Sequence, residues 1–480
     1  MIFMSINTHD YENDVRVMIG AFFTGEKIIT DRDRLDCCDL TVEVVVAGRH
    51  MEGRINDSSL DAHKIDCDAA SDDRKIVRNL LKRELYHVFS KITGKELPWG
   101  TLTGIRPVKI PLGMVERGIT DNTIIETMHS EYLVNSVKSE LSLKVAHKEY
   151  ELLRTLDYEN GYSLYVGIPF CPTTCLYCSF TSYPLSMYAN KVDDYLDALT
   201  KELKYLSEHF SGKRPDTIYI GGGTPTTLLP NQIDRLIGFI EDNFDLSGLR
   251  EFTVEAGRPD SIDRDKLDAL RKHGIDRISI NPQTMNQKTL DLIGRKHTVE
   301  QVCEAFNLAR DCGFSNINMD LIVGLPGESA DDVRYTLDEV AKLSPDSLTV
   351  HSLAIKRAAA LNIFKEKYAD YRIENTDEII DMTYSFASDM GMNPYYLYRQ
   401  KNMAGNFENV GYAKPGKEGL YNILIMEEKQ SIYAAGANAQ SKIVYNNPPK
   451  VDRIENVKAV DEYISRVDEM IDRKRCYFNG

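Results

Sequence analysis

One stretch of the chain reads YVGIPFCPTTCLYC from Tyr165 to Cys178, an apolar run that ends in three cysteines with the spacing CxxxCxxC. Three thiolates, here those of Cys171, Cys175 and Cys178, can hold three irons of a [4Fe-4S] cluster and leave the fourth iron open. An amino group and a carboxylate of one ligand can chelate that iron, and S-adenosylmethionine carries both. The cysteines therefore predict a cluster that cleaves S-adenosylmethionine and releases a 5'-deoxyadenosyl radical.

Two other uses of these cysteines stay open at this point. A structural zinc site needs a fourth nitrogen or sulfur ligand, and the nearest other thiols, Cys67 and Cys303, are remote in sequence. Buried free thiols are the second alternative. Disulfide bonds are disfavoured, because the N-terminus shows no recognisable secretory signal and an odd number of scattered cysteines suits a reducing compartment.

Length, charge and hydropathy limit the class of protein further. The 480 residues exceed one ordinary domain and predict two or three. A formal net charge of -15 argues against a nucleic-acid-binding surface, which would show a basic stripe. No apolar stretch approaches the roughly 20 residues of a membrane-spanning helix. We expect a cytoplasmic protein with no nucleic-acid partner and no membrane span.

Beyond residue 160, short apolar strands alternate with amphipathic helices. This alternation predicts an α/β fold with a parallel sheet and right-handed crossovers. Six units are too few for a closed eight-stranded barrel, so we predict an open, partial (β/α)6 barrel. The predicted strands are 164–168, 217–220, 252–255, 277–281, 317–322 and 347–350, and the predicted helices are 193–210, 230–243, 264–273, 299–312 and 331–343.

The first 160 residues are expected to form a separate α+β domain of unknown role. We predict a helix from Asp72 or Asp73 to Gly94, a connector over residues 103–109, strands at 15–23, 40–46 and 50–55, and helices at 121–132 and 135–156. The predicted domains are thus 1–160, the barrel over 161–355, and a C-terminal extension over 356–480 that completes the substrate site. The extension is expected to end in a helix over residues 457–473.

The carboxyl ends of the predicted strands carry residues that would share one edge of the sheet. The cysteines follow the first strand, Gly221-Gly-Gly-Thr-Pro225 follows the second, and Glu255 ends the third. Gln283, Asp320 and the segment from His351 to Ala354 belong to the last three strand ends. Ligands of parallel sheets gather at this edge. We interpret the glycines as a close backbone contact for the amino group of an iron-bound methionine moiety.

Together these residues resemble the radical S-adenosylmethionine enzymes, specifically the oxygen-independent coproporphyrinogen III oxidase (dehydrogenase) family and its HemZ-like branch. The resemblance covers about residues 162–445. Its carriers are the cysteine motif with the GGGTP turn, Glu255, Gln283 with Arg295, and Asp320-Leu-Ile-Val-Gly-Leu-Pro326. Residues 102–107, 167–172 and 399–412 resemble the HemZ-like branch in particular.

The resemblance implies a role for each matched position. Cys171, Cys175 and Cys178 match the cluster ligands. Contacts of the iron-bound S-adenosylmethionine are matched by Tyr165, Gly222 and Glu255. Members of the family can hold a second S-adenosylmethionine, and its contacts are matched by Tyr177, Gly223, Thr224, Gln283, Arg295, Asp320 and Ala354. Asp320 can accept from ribose hydroxyls and Arg295 can pair with a carboxylate, although an ion pair between the two residues is the simpler alternative.

The resemblance also implies a reaction and partners. The reaction is oxidative decarboxylation of two propionates of coproporphyrinogen III to the vinyl groups of protoporphyrinogen IX, in anaerobic haem biosynthesis. The partners are a tetrapyrrole substrate and a low-potential electron donor such as flavodoxin or ferredoxin. A tetra-acid needs cations, and the candidates are Lys356, Arg357, Arg399 and Lys401. Solvated surface charge explains each of them equally well.

The chain departs from the best-studied oxidases on both sides of the cysteine motif. Phe180 stands where they have a fourth cysteine, and Gly167 stands where they have a histidine. These departures leave the substrate open. One alternative is a related haem-binding carrier, although its His-Asn and Tyr-Trp signature is not matched by Lys401-Asn-Met403 or by Trp99, the only tryptophan. Another is a radical enzyme that opens haem by methyl transfer.

Overall fold

The computed structural model describes residues 1–57, 62–178, 182–354, 371–400, 403, 405 and 407–479. These residues form two compact units. The first comprises Met1–His147 with Arg399–Asn402, and the second comprises Lys148–Tyr398 with Met403–Gly480. The predicted boundaries at residues 160 and 355 stay a prediction.

The first unit is built on a five-stranded sheet in the order β2-β1-β3-β4-β5. Strand β1 is parallel to both of its neighbours, and β3, β4 and β5 are antiparallel. Its strands are β1 Ile2–Ile6, β2 Ile28–Ile29, β3 Leu40–Ala47, β4 His50–Asp57 and β5 Ala62–Asp68. Its helices are α1 Glu12–Phe22, α2 Arg74–Thr93, α3 Lys109–Val115 and α4 Asp121–Ser130, and α5 Ser136–Leu153 continues into the second unit.

The long helix α2 has the boundaries that its sequence predicts. The Asp73 side chain accepts hydrogen bonds from the backbone of Lys75 and Ile76, and Gly94 ends the helix in the left-handed conformation with φ 65°. The predicted strand over residues 15–23 is wrong, because this segment is helix α1. Its buried residues follow a helical spacing of three and four, which the strand interpretation overlooked.

The second unit contains one large sheet. Its strands are β6 Gly161–Ile168, β9 Arg214–Gly222, β10 Glu251–Glu255, β11 Arg277–Ser279, β12 Asn316–Val323, β13 Ser347–Ser352, β14 Asn393–Tyr398, β15 Asn409–Ala413, β16 Ile432–Ala435, β17 Gln440–Asn446 and β18 Pro449–Glu455, and a separate short pair is β7 Phe170–Cys171 with β8 Tyr183–Pro184. Its helices are α6 Leu185–Tyr188, α7 Val192–His209, α8 Pro230–Asn243, α9 Arg264–Lys272, α10 Gln287–Leu292, α11 Val299–Asp311, α12 Ala330–Leu343, α13 Asp377–Asp389, α14 Leu420–Glu427, α15 Val460–Ser465 and α16 Val467–Asn479.

The six predicted strands form the parallel centre of this sheet in chain order, from β6 through β9, β10, β11 and β12 to β13. The predicted partial-barrel α/β class is therefore confirmed. Left-handed Gly274 (φ 70°) and Gly313 (φ 89°) stand just after α9 and α11, as expected of helix C-caps. Parallel alignment brings all six carboxyl strand ends to one edge.

The C-terminal part of the chain extends the sheet on both sides, which the sequence did not predict. Antiparallel β15 and β14 follow β13 at one side. At the other side β16 pairs in parallel with β6, and antiparallel β17 and β18 follow. The predicted single helix over residues 457–473 is divided at Arg466 into α15 and α16. No helix among the described residues is long and apolar enough to cross a membrane.

Candidate functional site

The three motif cysteines follow β6: Cys171 ends the short strand β7, and Cys175 and Cys178 lie in the loop after it. This segment is called the cysteine loop. The backbone N–H of Leu176 donates to the Ile293 carbonyl at 2.9 Å, and the Cys178 N–H donates to the Cys175 carbonyl at 3.2 Å. All nine cysteines of the chain are described, and all are free thiols. Burial raises the pKa of the Cys171 thiol, although Thr224 donates a hydrogen bond to its sulfur at 3.5 Å.

The glycine turn after β9 packs against the start of the cysteine loop. The N–H groups of Gly223 and Thr224 donate to the carbonyls of Ile168 and Phe170, each at 2.7 Å. A Cβ atom at Gly223 would lie only 2.5 Å from the Phe170 carbonyl oxygen, so only glycine fits there. The turn and the cysteines are therefore adjacent, as their positions on neighbouring strand ends predict.

Two arginines approach the Cys175 sulfur. Arg258, which follows β10, donates from Nη1 to Cys175 Sγ at 3.7 Å. Arg295 faces the side chains of Cys175 and Tyr177 and donates from Nη1 to the Asn281 carbonyl. Both arginines are buried. Arg295 is a predicted site residue, but Arg258 was missed.

Three tyrosines from separate elements form a stack beside Glu255. The rings of Tyr219 and Tyr421 lie 4.4 Å apart and nearly parallel, and Tyr165 stacks on both. The Tyr219 hydroxyl donates to Glu255 Oε1 at 2.5 Å. Burial raises the pKa of Glu255 to about 7, and the charge of Asp320 adds to this against the hydrogen bond from Tyr219. Tyr219 and Tyr421 were also missed by the sequence analysis.

Gln283 and Asp320 are joined through the backbone of neighbouring strands. The Gln283 N–H donates to the Asp320 carbonyl at 3.0 Å, and Gln283 has the left-handed φ of 70°, which is rare for a residue with a side chain. Burial would raise the pKa of Asp320. Hydrogen bonds from His351, Asn318 and Thr349 more than offset this effect and lower it.

The remaining predicted residues are less closely tied to this edge. Ala354 stands just after β13 and forms an isolated bridge with Met403. Arg399 belongs to the first unit, where its backbone N–H donates to Ile105 at 2.7 Å and its guanidinium donates to the Leu102 carbonyl. Phe180, Lys356, Arg357 and Lys401 lie outside the described residues.

Several buried polar atoms near the carboxyl end of β11 have no hydrogen-bond partner among the described residues. They include Arg295 Nε, Asn281 Oδ1 and both ring nitrogens of His297. Burial, assisted by the charges of Arg295 and Arg258, lowers the pKa of His297 to about 3, so its ring is neutral. Native proteins pair most buried polar atoms, so this concentration fits a polar ligand that completes the site.

The arrangement of the cysteines indicates which kind of metal group they can bind. Within the described ranges, no three His, Cys, Asp or Glu side chains converge on one metal ion. A [4Fe-4S] cluster does not require such convergence, because each thiolate binds a different iron. The free thiols, the glycine turn and the unpaired polar atoms together fit a cluster with a polar ligand beside it.

The sequence profile of the radical SAM superfamily matches residues 165–340. Among solved structures, the radical SAM enzyme coproporphyrinogen III oxidase (HemN) of Escherichia coli matches with a TM-score of 0.52 and 27% identity, covering 67% of this chain and 72% of that chain. The matched segment and the fold define a radical SAM protein.

Curated relatives identify the family within this superfamily. The chain is 40% identical to the oxygen-independent coproporphyrinogen-III oxidase-like protein HemZ of Bacillus subtilis over 409 residues, 84% of this chain and 81% of that protein. It is 31% identical to the heme chaperone HemW of the same organism over 310 residues, 64% of this chain and 76% of that protein. The chain belongs to the HemN/HemW/HemZ family of radical SAM proteins. It accordingly uses a [4Fe-4S] cluster and S-adenosylmethionine.

Proposed function

We propose that this protein is a cytoplasmic radical S-adenosylmethionine oxidoreductase that decarboxylates propionate side chains of coproporphyrinogen III. The observation that carries the proposal is the meeting of the cysteine loop, the glycine turn and Glu255 at one edge of the sheet. The identity to HemZ over most of both chains supports the same family of substrates. A low-potential donor such as flavodoxin or ferredoxin would supply the electron.

Cys171, Cys175 and Cys178 are the proposed cluster ligands. When bound, the cluster and S-adenosylmethionine supply a 5'-deoxyadenosyl radical that can take a hydrogen atom from unactivated carbon. We assign Tyr165, Gly222 and Glu255 to the iron-bound S-adenosylmethionine. A second S-adenosylmethionine would contact Tyr177, Gly223, Thr224, Gln283, Arg295, Asp320 and Ala354.

The chemistry of these side chains suits their proposed ligands. Asp320, whose carboxylate is stabilised in its charged form, can accept from ribose hydroxyls. The buried Nε of Arg295 has no partner within the described ranges and can donate to a methionine carboxylate. Tyr219 donates a hydrogen bond to Glu255, and an ammonium group beside this carboxylate would further stabilise its charged form.

In the proposed reaction each propionate loses one hydrogen atom, one carbon dioxide and one electron. Loss of a hydrogen atom from the β-carbon leaves a carbon radical, and cleavage of the bond to the carboxylate then releases carbon dioxide. One electron passes to an acceptor, and a vinyl group remains. Two such reactions convert coproporphyrinogen III to protoporphyrinogen IX.

A haem carrier is the second candidate function, because HemW is also a relative of this chain. An anaerobic assay separates the candidates. Reconstituted protein is mixed with dithionite, S-adenosylmethionine and coproporphyrinogen III, and the products are analysed by mass spectrometry. We expect loss of two carboxyl groups together with 5'-deoxyadenosine. Tight haem binding without decarboxylation would favour the carrier, and a methylated, ring-opened product would favour the methyltransferase alternative.

Cysteine variants test the cluster assignment. Cys175→Ala is expected to lose the [4Fe-4S] absorption and to form no 5'-deoxyadenosine, because one iron loses its thiolate. Cys303→Ala is the matched control, since this half-buried free thiol lies on α11 outside the motif. Retention of the cluster in Cys175→Ala would contradict the proposal.

A further inference from the structure

Arg258 is held in one orientation behind the cysteine loop. Its side chain is only 4% exposed. Nε and Nη2 donate to the two carboxylate oxygens of Asp260 at 3.0 and 2.9 Å, a bidentate arrangement. The same guanidinium donates to the Thr173 carbonyl at 3.3 Å and to its hydroxyl at 3.1 Å.

The guanidinium also contacts a motif cysteine. Nη1 lies 3.7 Å from Cys175 Sγ, within hydrogen-bond distance of a sulfur acceptor. Asp260 fixes the plane of the guanidinium, and Thr173 fixes its position along the loop. Arg258 therefore presents a charged donor to this sulfur in a fixed orientation.

A charged donor of this kind affects the reduction potential of an iron–sulfur cluster. Hydrogen bonds to ligand sulfurs and nearby charge are among the factors that set the reduction potential of iron–sulfur clusters. A reduced cluster carries one more negative charge than an oxidised one. A buried cation beside one ligand sulfur stabilises the reduced form, and its removal makes reduction harder.

We propose that Arg258 is a positioning residue that raises the reduction potential of the cluster through Cys175, with Asp260 as the group that orients it. The inference rests on the proposed role of Cys175 as a cluster ligand and is independent of the tetrapyrrole. It gives a function to a residue that no motif of the sequence analysis included.

The test compares Arg258→Met, Arg258→Lys and the double variant Arg258→Met/Asp260→Asn, which avoids an unpaired Asp260. Iron and sulfide per chain are measured first. The ratio of reduced to oxidised cluster is then read from the electron paramagnetic resonance signal at a fixed solution potential. Arg264→Met is the matched control, because Arg264 also donates to a cysteine sulfur, that of Cys312 at 3.6 Å, but outside the motif.

We expect both Arg258→Met proteins to keep the cluster and to show about a tenfold lower ratio of reduced to oxidised cluster, which is 59 mV for one electron. Arg258→Lys should fall between them and the wild type, because it keeps the charge without the fork. Arg264→Met should be unchanged. An unchanged ratio in loaded Arg258→Met, an equal change in Arg264→Met, or failure of all three Arg258 variants to bind iron would overturn the proposal. A cluster that persists in Cys175→Ala would instead refute the ligand assignment.

Discussion

The second unit contains two buried polar clusters of opposite character. The cofactor-side cluster consists of Arg258, Arg295, His297 and Asn281, and several of its polar atoms have no hydrogen-bond partner in the part of the chain that the structure describes. The closed network consists of Glu202, Lys474, Asn456 and Tyr463, which connect helix α7 to the C-terminal part of the chain. Both clusters contain charge, but only the closed network satisfies its own hydrogen bonds.

Each polar side-chain atom of the closed network has a partner. Lys474 Nζ contacts Glu202 Oε1 at 2.6 Å and Asn456 Oδ1 at 2.8 Å. Asn456 Nδ2 donates to Glu202 and to the Gly436 carbonyl, and the Tyr463 hydroxyl donates to Glu202 Oε2. The contrast teaches that the sequence of this unit can satisfy buried charge internally where it serves the fold. Where several unpaired polar atoms lie together, as in the cofactor-side cluster, a polar ligand can complete the site.

Breaking the closed network should have the largest effect on stability. Lys474→Met leaves the carboxylate of Glu202 buried without its counter-charge, and we expect a loss of about 3–5 kcal/mol in the free energy of unfolding. Urea unfolding followed by circular dichroism measures it. Lys201→Met is the control, because Lys201 lies next to Glu202 on helix α7 and its exposed ion pair with Asp468 should contribute less than about 1 kcal/mol. Equal losses in both variants would show that the buried ion pair of the closed network contributes no more than an exposed one.

The pH dependence of the stability of a His297 variant tests the cofactor-side cluster. The pKa of His297 is lowered to about 3 in the folded protein, whereas the pKa of a histidine in the unfolded chain is near 6.5. The unfolded chain therefore binds the additional proton below that pH, and stability falls as the pH falls. We expect His297→Phe to reduce the loss of unfolding free energy between pH 7 and pH 5 by about 1–2 kcal/mol. His9→Gln, at a fully exposed histidine, is the control, and an unchanged loss in His297→Phe would show that this ring is not buried in neutral form.

A substitution of Glu149 should have the smallest effect on the free energy of unfolding. Neither of its buried carboxylate oxygens has a hydrogen-bond partner among the residues that the structure describes, yet Glu149 stands outside both clusters on helix α5. Burial, and then the charge of Glu427, raises its pKa well above the ordinary value. A raised folded pKa means that stability is lost as the pH rises, so Glu149→Gln should gain about 1 kcal/mol at pH 8 and little at pH 5.

Thermal unfolding at the two pH values measures this gain. Glu151→Gln, on the exposed side of the same helix, is the control. A gain in Glu149→Gln that does not depend on pH would mean that the wild-type carboxyl does not respond to its burial as described. It would also weaken the use of unpaired atoms as a sign of a ligand.

The parallel centre of the sheet could be predicted because its signals are local. Each strand from β6 to β13 is a short apolar run followed by an amphipathic helix, and the neighbours in the sheet are neighbours in the chain. The partners of β14 to β18 could not be predicted, since these strands join elements far away in sequence. The strand prediction over residues 15–23 failed for another reason. The apolar residues of this segment follow a helical period, which is hard to recognise in so short a stretch of sequence.

The candidate site divides in the same way. The cysteines, the GGGTP turn and Glu255 follow from motifs at strand ends, and the structure brings them to one edge. Arg258, Tyr219 and Tyr421 have no motif of their own, and they reach the site only through the packing of several elements. One signal was present for Arg258, since it follows Glu255 by three residues at the same strand end.

Strand β6, which leads into the cysteine loop, pairs on one side with β16, a strand that is synthesised long after it. The Ser163 N–H donates to the Ser431 carbonyl, and the Ser163 hydroxyl reaches Gln430 across 267 residues of sequence. While the chain emerges from the ribosome, the side of β6 that β16 will cover presents unpaired backbone groups to any passing strand. We expect nascent chains that stop short of β16 to aggregate, because β16 covers one side of the strand that leads into the cysteine loop.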